Sequence, residues 1–137
     1  MPVIVEPRYD IADIAPDLAR VYADFPGTPV DACLATIRDA LRGDGVFYAG
    51  MFNGKPVAGA LVTGPADARR IRLIAVRAAT RQRGISLRLV DEIGRLEYLT
   101  GASALEVAAS TDAAAVLTRL GFAPGPACLL RKALSAG

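Results

Sequence analysis

Apolar residues recur along this chain with two periods, and each period predicts its own elements. Ile14, Leu18, Val21, Tyr22 and Phe25 recur at three- and four-residue steps, which predicts a helix over 11–25. Pro26-Gly27 stops it. Leu34, Ile37 and Leu41 form a second helical stripe, entered through Thr28-Pro29-Val30-Asp31 with Thr28 expected as N-cap, and ended by Gly43 and Gly45. The run from Pro2 to Glu6 predicts a short first strand. Residues 46–52 and 55–62 read as two strands around Asn53-Gly54, the dipeptide suited to both positive-φ positions of a type I′ hairpin turn. Gly64-Pro65 makes another turn. From Arg69 to Val76, Ile71 and Leu73 alternate with Arg70 and Arg72 before the run becomes continuously apolar, which predicts a third consecutive strand.

Ile85, Leu89, Ile93, Leu96 and Leu99 mark a long helix that ends at Gly101, and residues 104–108 read as a strand. Ser110 or Thr111 is expected to cap a short Ala-rich helix ending at Leu120-Gly121. Part of 126–132 supplies a last strand. The order β-α-α-β-β-β-α-β-α-β describes one α/β domain over residues 1–137.

Composition narrows the chemistry. The chain has 137 residues, 53% hydrophobic and 22% charged, a balance that folds rather than stays disordered. It has no histidine, which excludes Ser-His-Asp and Cys-His nucleophiles, a histidine base and histidine-containing metal sites; no metal is expected. Its net charge of +2 is too small for general nucleic-acid binding, although 14 of its 16 cations are arginine, the better donor to anions. Cys33 and Cys128 stand apart in apolar surroundings and read as buried reduced thiols. No stretch approaches the roughly 20 apolar residues of a membrane span, and a cytoplasmic location is expected.

The candidate chemistry lies at the junction of the third consecutive strand and the long helix. Arg77-Ala78-Ala79-Thr80-Arg81-Gln82-Arg83-Gly84-Ile85-Ser86 links them. The first turn of a helix leaves backbone N–H groups unpaired and carries about half a positive charge, so it favours an anion. Gly84 permits close approach, and Arg81 and Arg83 add positive charge.

On these residues the chain resembles the Gcn5-related N-acetyltransferase (GNAT) superfamily. The element order matches, Arg81-Gln82-Arg83-Gly84-Ile85-Ser86 is similar to that family's Gln/Arg-x-x-Gly-x-Gly/Ala loop, and Leu120-Gly121-Phe122 is similar to its late Leu-Gly-Phe. The resemblance implies a GNAT fold with a central mixed sheet that binds acetyl-CoA. Ile74, Ala75 and Val76 would meet the pantetheine, and Thr80, Arg81, Gln82, Arg83, Gly84, Ile85, Ser86 and Leu87 the phosphates. A narrower resemblance is to the PanZ (PanM) family, through Val76-Arg77-x-x-Thr80-Arg81-x-Arg83-Gly84-Ile85 and through Phe47-Tyr48-Ala49 with Phe52-Asn53. Members of that family are acetyl-CoA sensors that bind aspartate 1-decarboxylase and promote its maturation; the position of Asn53 would contact that partner. Met51 stands where the best-known members carry an arginine.

An acetyltransferase needs a base for the amine, and an acid for the departing thiolate is an advantage. Leu117 occupies the position where many GNAT enzymes carry the acid tyrosine, and Arg70 and Arg72 stand where a strand glutamate is common. Glu106 is the surviving candidate base. It faces away from Leu105 and Val107, which directs it to the cleft or to solvent, and a strand carboxylate is ordinarily a surface group. Tyr98 is expected on the apolar face of the long helix, and the Arg69-Arg70 pair at a strand edge on the surface. The sequence thus leaves two functions open: an acetyl-CoA-dependent regulator of the PanZ kind, and an N-acetyltransferase acting on a small-molecule or protein amine.

Overall fold

In a computed structural model, which describes residues 3–78, 84–108, 117–125 and 129–135, the Asn53-Gly54 turn organises the first half of the sheet. Asn53 (φ 52°) and Gly54 (φ 76°) are both left-handed, and Phe52 pairs with Lys55, as a two-residue turn requires. Around it β2 (Val46–Phe52) and β3 (Lys55–Thr63) run antiparallel, with β1 (Ile4–Arg8) outside β2 and β4 (Arg69–Val76) outside β3. The sheet continues through β5 (Ala104–Ala108), β7 (Leu129–Ala133) and the two-residue β6 (Ala123–Pro124), in the order β1-β2-β3-β4-β5-β7-β6. Only the β4–β5 pairing is parallel among these, which makes the sheet mixed. The seven-stranded mixed sheet with its helices matches the expected α/β class.

Two apolar layers sandwich the sheet. On one face α3 (Ile85–Leu99) buries Ile85, Leu89, Val90 and Ile93 against Tyr48, Ile71, Leu105 and Val107. On the other, α1 (Ala15–Val21) and α2 (Val30–Leu41) pack on β3 and β2, burying Leu18, Tyr22, Leu34 and Ile37 against Phe47 and Leu61. The alternation of Phe47 and Tyr48 between these layers is the period-2 geometry of a strand covered on both faces.

Several expectations are corrected. The first helix spans only Ala15–Val21 because 12–14 and 22–24 form turns; its stripe is nonetheless buried at Ile14, Leu18, Val21 and Tyr22. The N-cap of α2 is Pro29 in extended conformation, without a side-chain hydrogen bond, rather than Thr28. The first strand lies at Ile4–Arg8 rather than 2–6. Leu99 is 66% exposed and Tyr98 faces solvent too, so the stripe of α3 ends at Leu96. The strand β6, at two residues, is too short to show a period in the sequence. Most of the expected Ala-rich helix, including Ser110 and Thr111, lies outside the described residues; 117–119 are helical.

Candidate functional site

The central event in the sheet is a parting of β4 from β5. Arg69, Arg70 and Ile71 pair in parallel with Leu105, Glu106 and Val107, and there the register stops. Beyond it β4 runs on through Arg72, Leu73, Ile74 and Ala75 without a β5 partner among the described residues, while β3 still pairs with it as far as Ala58↔Val76. Burial changes at the same point: Leu73, Ile74, Ala75 and Val76 are all half-buried on a strand whose first residues alternate cleanly.

A bulge accompanies the parting. The β3–β4 register slips between Gly59↔Ala75 and Leu61↔Arg72, and Leu73 adopts φ 54°, a left-handed conformation that costs a non-glycine residue about 1–2 kcal/mol. The slip moves Leu73 onto the α1–α2 layer, whereas Ile71 packs on α3. The expected alternation of Ile71 and Leu73 on one face is therefore broken by one residue. Tyr22, fully buried at the end of α1, holds the bulge: its hydroxyl donates to the Leu73 carbonyl at 2.7 Å. Burial pushes the Tyr22 hydroxyl well above the usual tyrosine range, so it remains a donor. Space for it comes from Gly59, where a Cβ would stand 3.1 Å from the Tyr22 hydroxyl and 2.4 Å from Phe47 Cζ.

At the mouth of the opening α3 begins. Gly84 is its N-cap at φ 70°, with no side-chain cap and no acidic residue in the first turn. The first intrahelical bond runs from Arg88 N to Gly84 O (3.1 Å), so the amides of Ile85, Ser86 and Leu87 have no acceptor within the helix. A Cβ on Gly84 would meet nothing within 4 Å. Its glycine serves the left-handed turn and leaves open space in front of uncapped amides, the arrangement an anion requires. Ile85 anchors the turn in the core. Thr80, Arg81, Gln82 and Arg83 lie outside the described residues, as does Cys128; Cys33 is buried and not in a disulfide.

Glu106 departs from the surface position expected for it. It is 6% exposed, immediately before the last β4–β5 pair, with Arg131 Nη1 donating to Oε2 at 3.0 Å and Arg70 Nη2 at 3.7 Å from Oε1. Both of its oxygens thus face guanidinium groups. Leu117, at the position of the family's acid, is 2% exposed in the α3 layer and offers no proton. Asn53 is exposed at the hairpin tip.

One buried constellation escaped the sequence entirely. Arg69, expected at the surface with Arg70, is 8% exposed: Nε donates to Glu97 Oε1 at 2.7 Å, and Nη1 donates to the carbonyls of Gly64 (2.6 Å) and Asp44 (3.1 Å). The Tyr48 hydroxyl donates to the other Glu97 oxygen, and burial beside that carboxylate pushes Tyr48 far above the usual tyrosine range. A cavity of about 260 Å³ opens beside this network, at the end of β4 away from the parting. Among the described residues every buried side-chain polar atom has a partner, so the network is a bonded support rather than a vacant site. No group of three or more metal-ligating side chains occurs among the described residues, and none of their helices is long and apolar enough to cross a membrane.

Solved structures of known proteins share this fold. The Tetrahymena Gcn5 structure superposes with a TM-score of 0.76 at 14% identity, covering 100% of this chain and 98% of that one. The Escherichia coli GNAT protein YhbS, in complex with CoA, gives 0.76 at 14% identity over 97% and 82%. A GNAT acetyltransferase from Elizabethkingia anophelis with acetyl-CoA bound gives 0.74 at 16% identity over 96% and 98%. No curated protein matches the chain in sequence. Residues 9–124, most of the chain, match the family described as "Acetyltransferase (GNAT) domain, PanZ", and the chain therefore belongs to the PanZ family of GNAT domains.

Proposed function

We propose that this protein binds acetyl-CoA in the opening between β4 and β5 and acts as an acetyl-CoA-dependent regulator of aspartate 1-decarboxylase. The observation that carries the binding is the parting of the two strands at Ile71↔Val107 in front of the uncapped N-terminus of α3. The edge of β4 at Ile74 and Ala75, past its last β5 pair, suits the amides of pantetheine, with Val76 next in sequence. Gly84 and the amides of Ile85, Ser86 and Leu87 suit the pyrophosphate, with Thr80, Arg81, Gln82 and Arg83 completing the loop in sequence. The GNAT structures that hold CoA and acetyl-CoA support the same ligand here.

Two features weigh for regulation over catalysis. Leu117 fills the acid position with a buried hydrocarbon, and the Glu106 carboxylate is engaged by Arg131 and Arg70. Acetyl-CoA would order the cleft and with it the surface that meets the decarboxylase, including the exposed Asn53; such coupling is typically worth ~1–3 kcal/mol. The burial of Glu106 beside the opening keeps N-acetyl transfer as a second reading, in which Glu106 takes the amine proton.

Calorimetric titration tests the cleft: acetyl-CoA binds saturably, and Gly84→Val weakens it at least tenfold by placing a branched side chain in the space the phosphates need. Absence of binding at millimolar ligand overturns the proposal. Aspartate 1-decarboxylase co-purifying with the protein only when acetyl-CoA is present separates regulator from enzyme. Thiol release across an amine panel, lost in Glu106→Gln, would favour the enzyme instead.

A further inference from the structure

The face of the sheet that carries α1 and α2 is charged where those helices leave it. Arg69 and Ile71 face α3, so Arg70 and Arg72 project from the opposite face, opposite Thr63 and Leu61 of β3. Leu105 and Val107 pack in the α3 layer, which turns Glu106 to the same side as the two arginines, and Arg131 reaches it from β7. A groove of about 400 Å³ runs over Arg70, Arg72 and Glu106 beside Thr63 and Gly64. Two guanidinium groups therefore pair with one carboxylate, and a third, that of Arg72, lines the same groove. Arg131 divides its donors between Glu106 and the Asp67 carbonyl (3.0 Å), and Arg70 reaches Glu106 with one nitrogen at 3.7 Å. Arg72 is exposed and makes no ion pair among the described residues.

The spacing selects the ligand. Alternate residues on one face of a strand stand roughly 6.5–7 Å apart, and the alternate side chains of an extended peptide have the same spacing. Carboxylates at every second position of such a peptide meet Arg70 and Arg72 one to one. A compact dianion such as phosphate would instead concentrate its charge beside Glu106, where the like charge opposes it. Arg72 is also the first residue of β4 past the last β5 pair, so this face borders the opening itself.

We propose that Arg70, Arg72 and Arg131 form a docking face for an extended acidic segment of the protein partner. The proposal rests on the regulatory reading, to which it adds the chemistry of the partner's surface. Through Arg72 the docked segment would touch the stretch of β4 that acetyl-CoA orders.

The capped peptide Glu-Ser-Glu-Ser-Glu-Ser, titrated calorimetrically at low ionic strength into acetyl-CoA-saturated protein, tests it. The double variant Arg70→Gln/Arg72→Gln should weaken binding about tenfold, and Arg72→Gln alone, which leaves Glu106 both of its partners, about threefold. The charge-matched control Arg38→Gln/Arg42→Gln, on and just after α2, should leave binding unchanged. Absence of peptide binding to the wild type, or equal losses in both double variants, overturns the proposal. Succinate binding as tightly as the peptide also overturns it, in favour of a free small acid. Acetyl-CoA affinity is measured separately for each variant. If acetyl-CoA fails to bind, the cleft reading falls, and peptide titration of the ligand-free protein still decides the arginine face.

Discussion

Among the described residues, β4 is held by β5, β3 and α3 at its N-terminal end and keeps only β3 of its two neighbouring strands towards its C-terminal end. Arg69, Arg70 and Ile71 pair with β5, Arg70 and Ile71 also pair with β3, and the Arg69 guanidinium is bound to Glu97 of α3 and to two carbonyls of the neighbouring turns. Past Ile71 the strand keeps β3, has no β5 partner among the described residues, and carries a left-handed Leu73 whose carbonyl accepts the Tyr22 hydroxyl. The same eight-residue strand is thus a support at one end and the proposed binding edge at the other. A strand can open to a ligand only where its pairing is incomplete, and it can stay in register there only if its other end is fixed.

The largest way to break this contrast is at the fixed end. Glu97→Ala leaves the Arg69 guanidinium buried without its carboxylate and should cost about 3–5 kcal/mol in chemical denaturation. A loss below about 1 kcal/mol would show that the network supports little. Gly59→Val acts at the open end, forcing a side chain to within 2.4 Å of Phe47 Cζ opposite Ala75, and should cost about 1–3 kcal/mol through overpacking.

Tyr22→Phe sharpens the comparison with a smaller effect. Losing one buried hydrogen bond should cost about 1 kcal/mol, while acetyl-CoA affinity falls because the bulge that shapes the opening is released. Adding Leu73→Gly, which accepts the left-handed turn without strain, should restore that affinity; unchanged affinity in all three proteins would separate the bulge from the cleft. The alkaline limb gives the finest distinction. Because the folded protein holds the Tyr22 proton above the ordinary value of 10.0, its contribution is complete below about pH 10 and is lost above it. The stability gap between wild type and Tyr22→Phe should therefore narrow as the pH rises past 10.

Much of this architecture is local and hence legible. Asn53-Gly54 specifies its turn because both residues tolerate positive φ, and the bounds of β4, α3 and β5 follow from apolar periodicity broken by glycine. The junction around Gly84 is also readable, since a helix start preceded by glycine and arginines has its own electrostatics. What escaped depends on distant partners. Arg69 looked like Arg70 until the fold brought Glu97, 28 residues away, against it, and Tyr48 found the same carboxylate across 49 residues. Tyr22 meets Leu73 across 51 residues. Glu106 looked like a solvated carboxylate because nothing in its own strand announces Arg131.

By itself the sequence determined where most of the strands and helices lie, how the hairpin turns, and which junction starts a helix behind a glycine, because each of these is set by neighbours a few residues apart. Only the tertiary structure decided that β4 parts from β5 after Ile71, that Leu73 changes face, and that one of two adjacent arginines is buried while the other is half-exposed. Strand register and the burial of charge depend on which elements come to lie side by side, and that is a property of the assembled sheet.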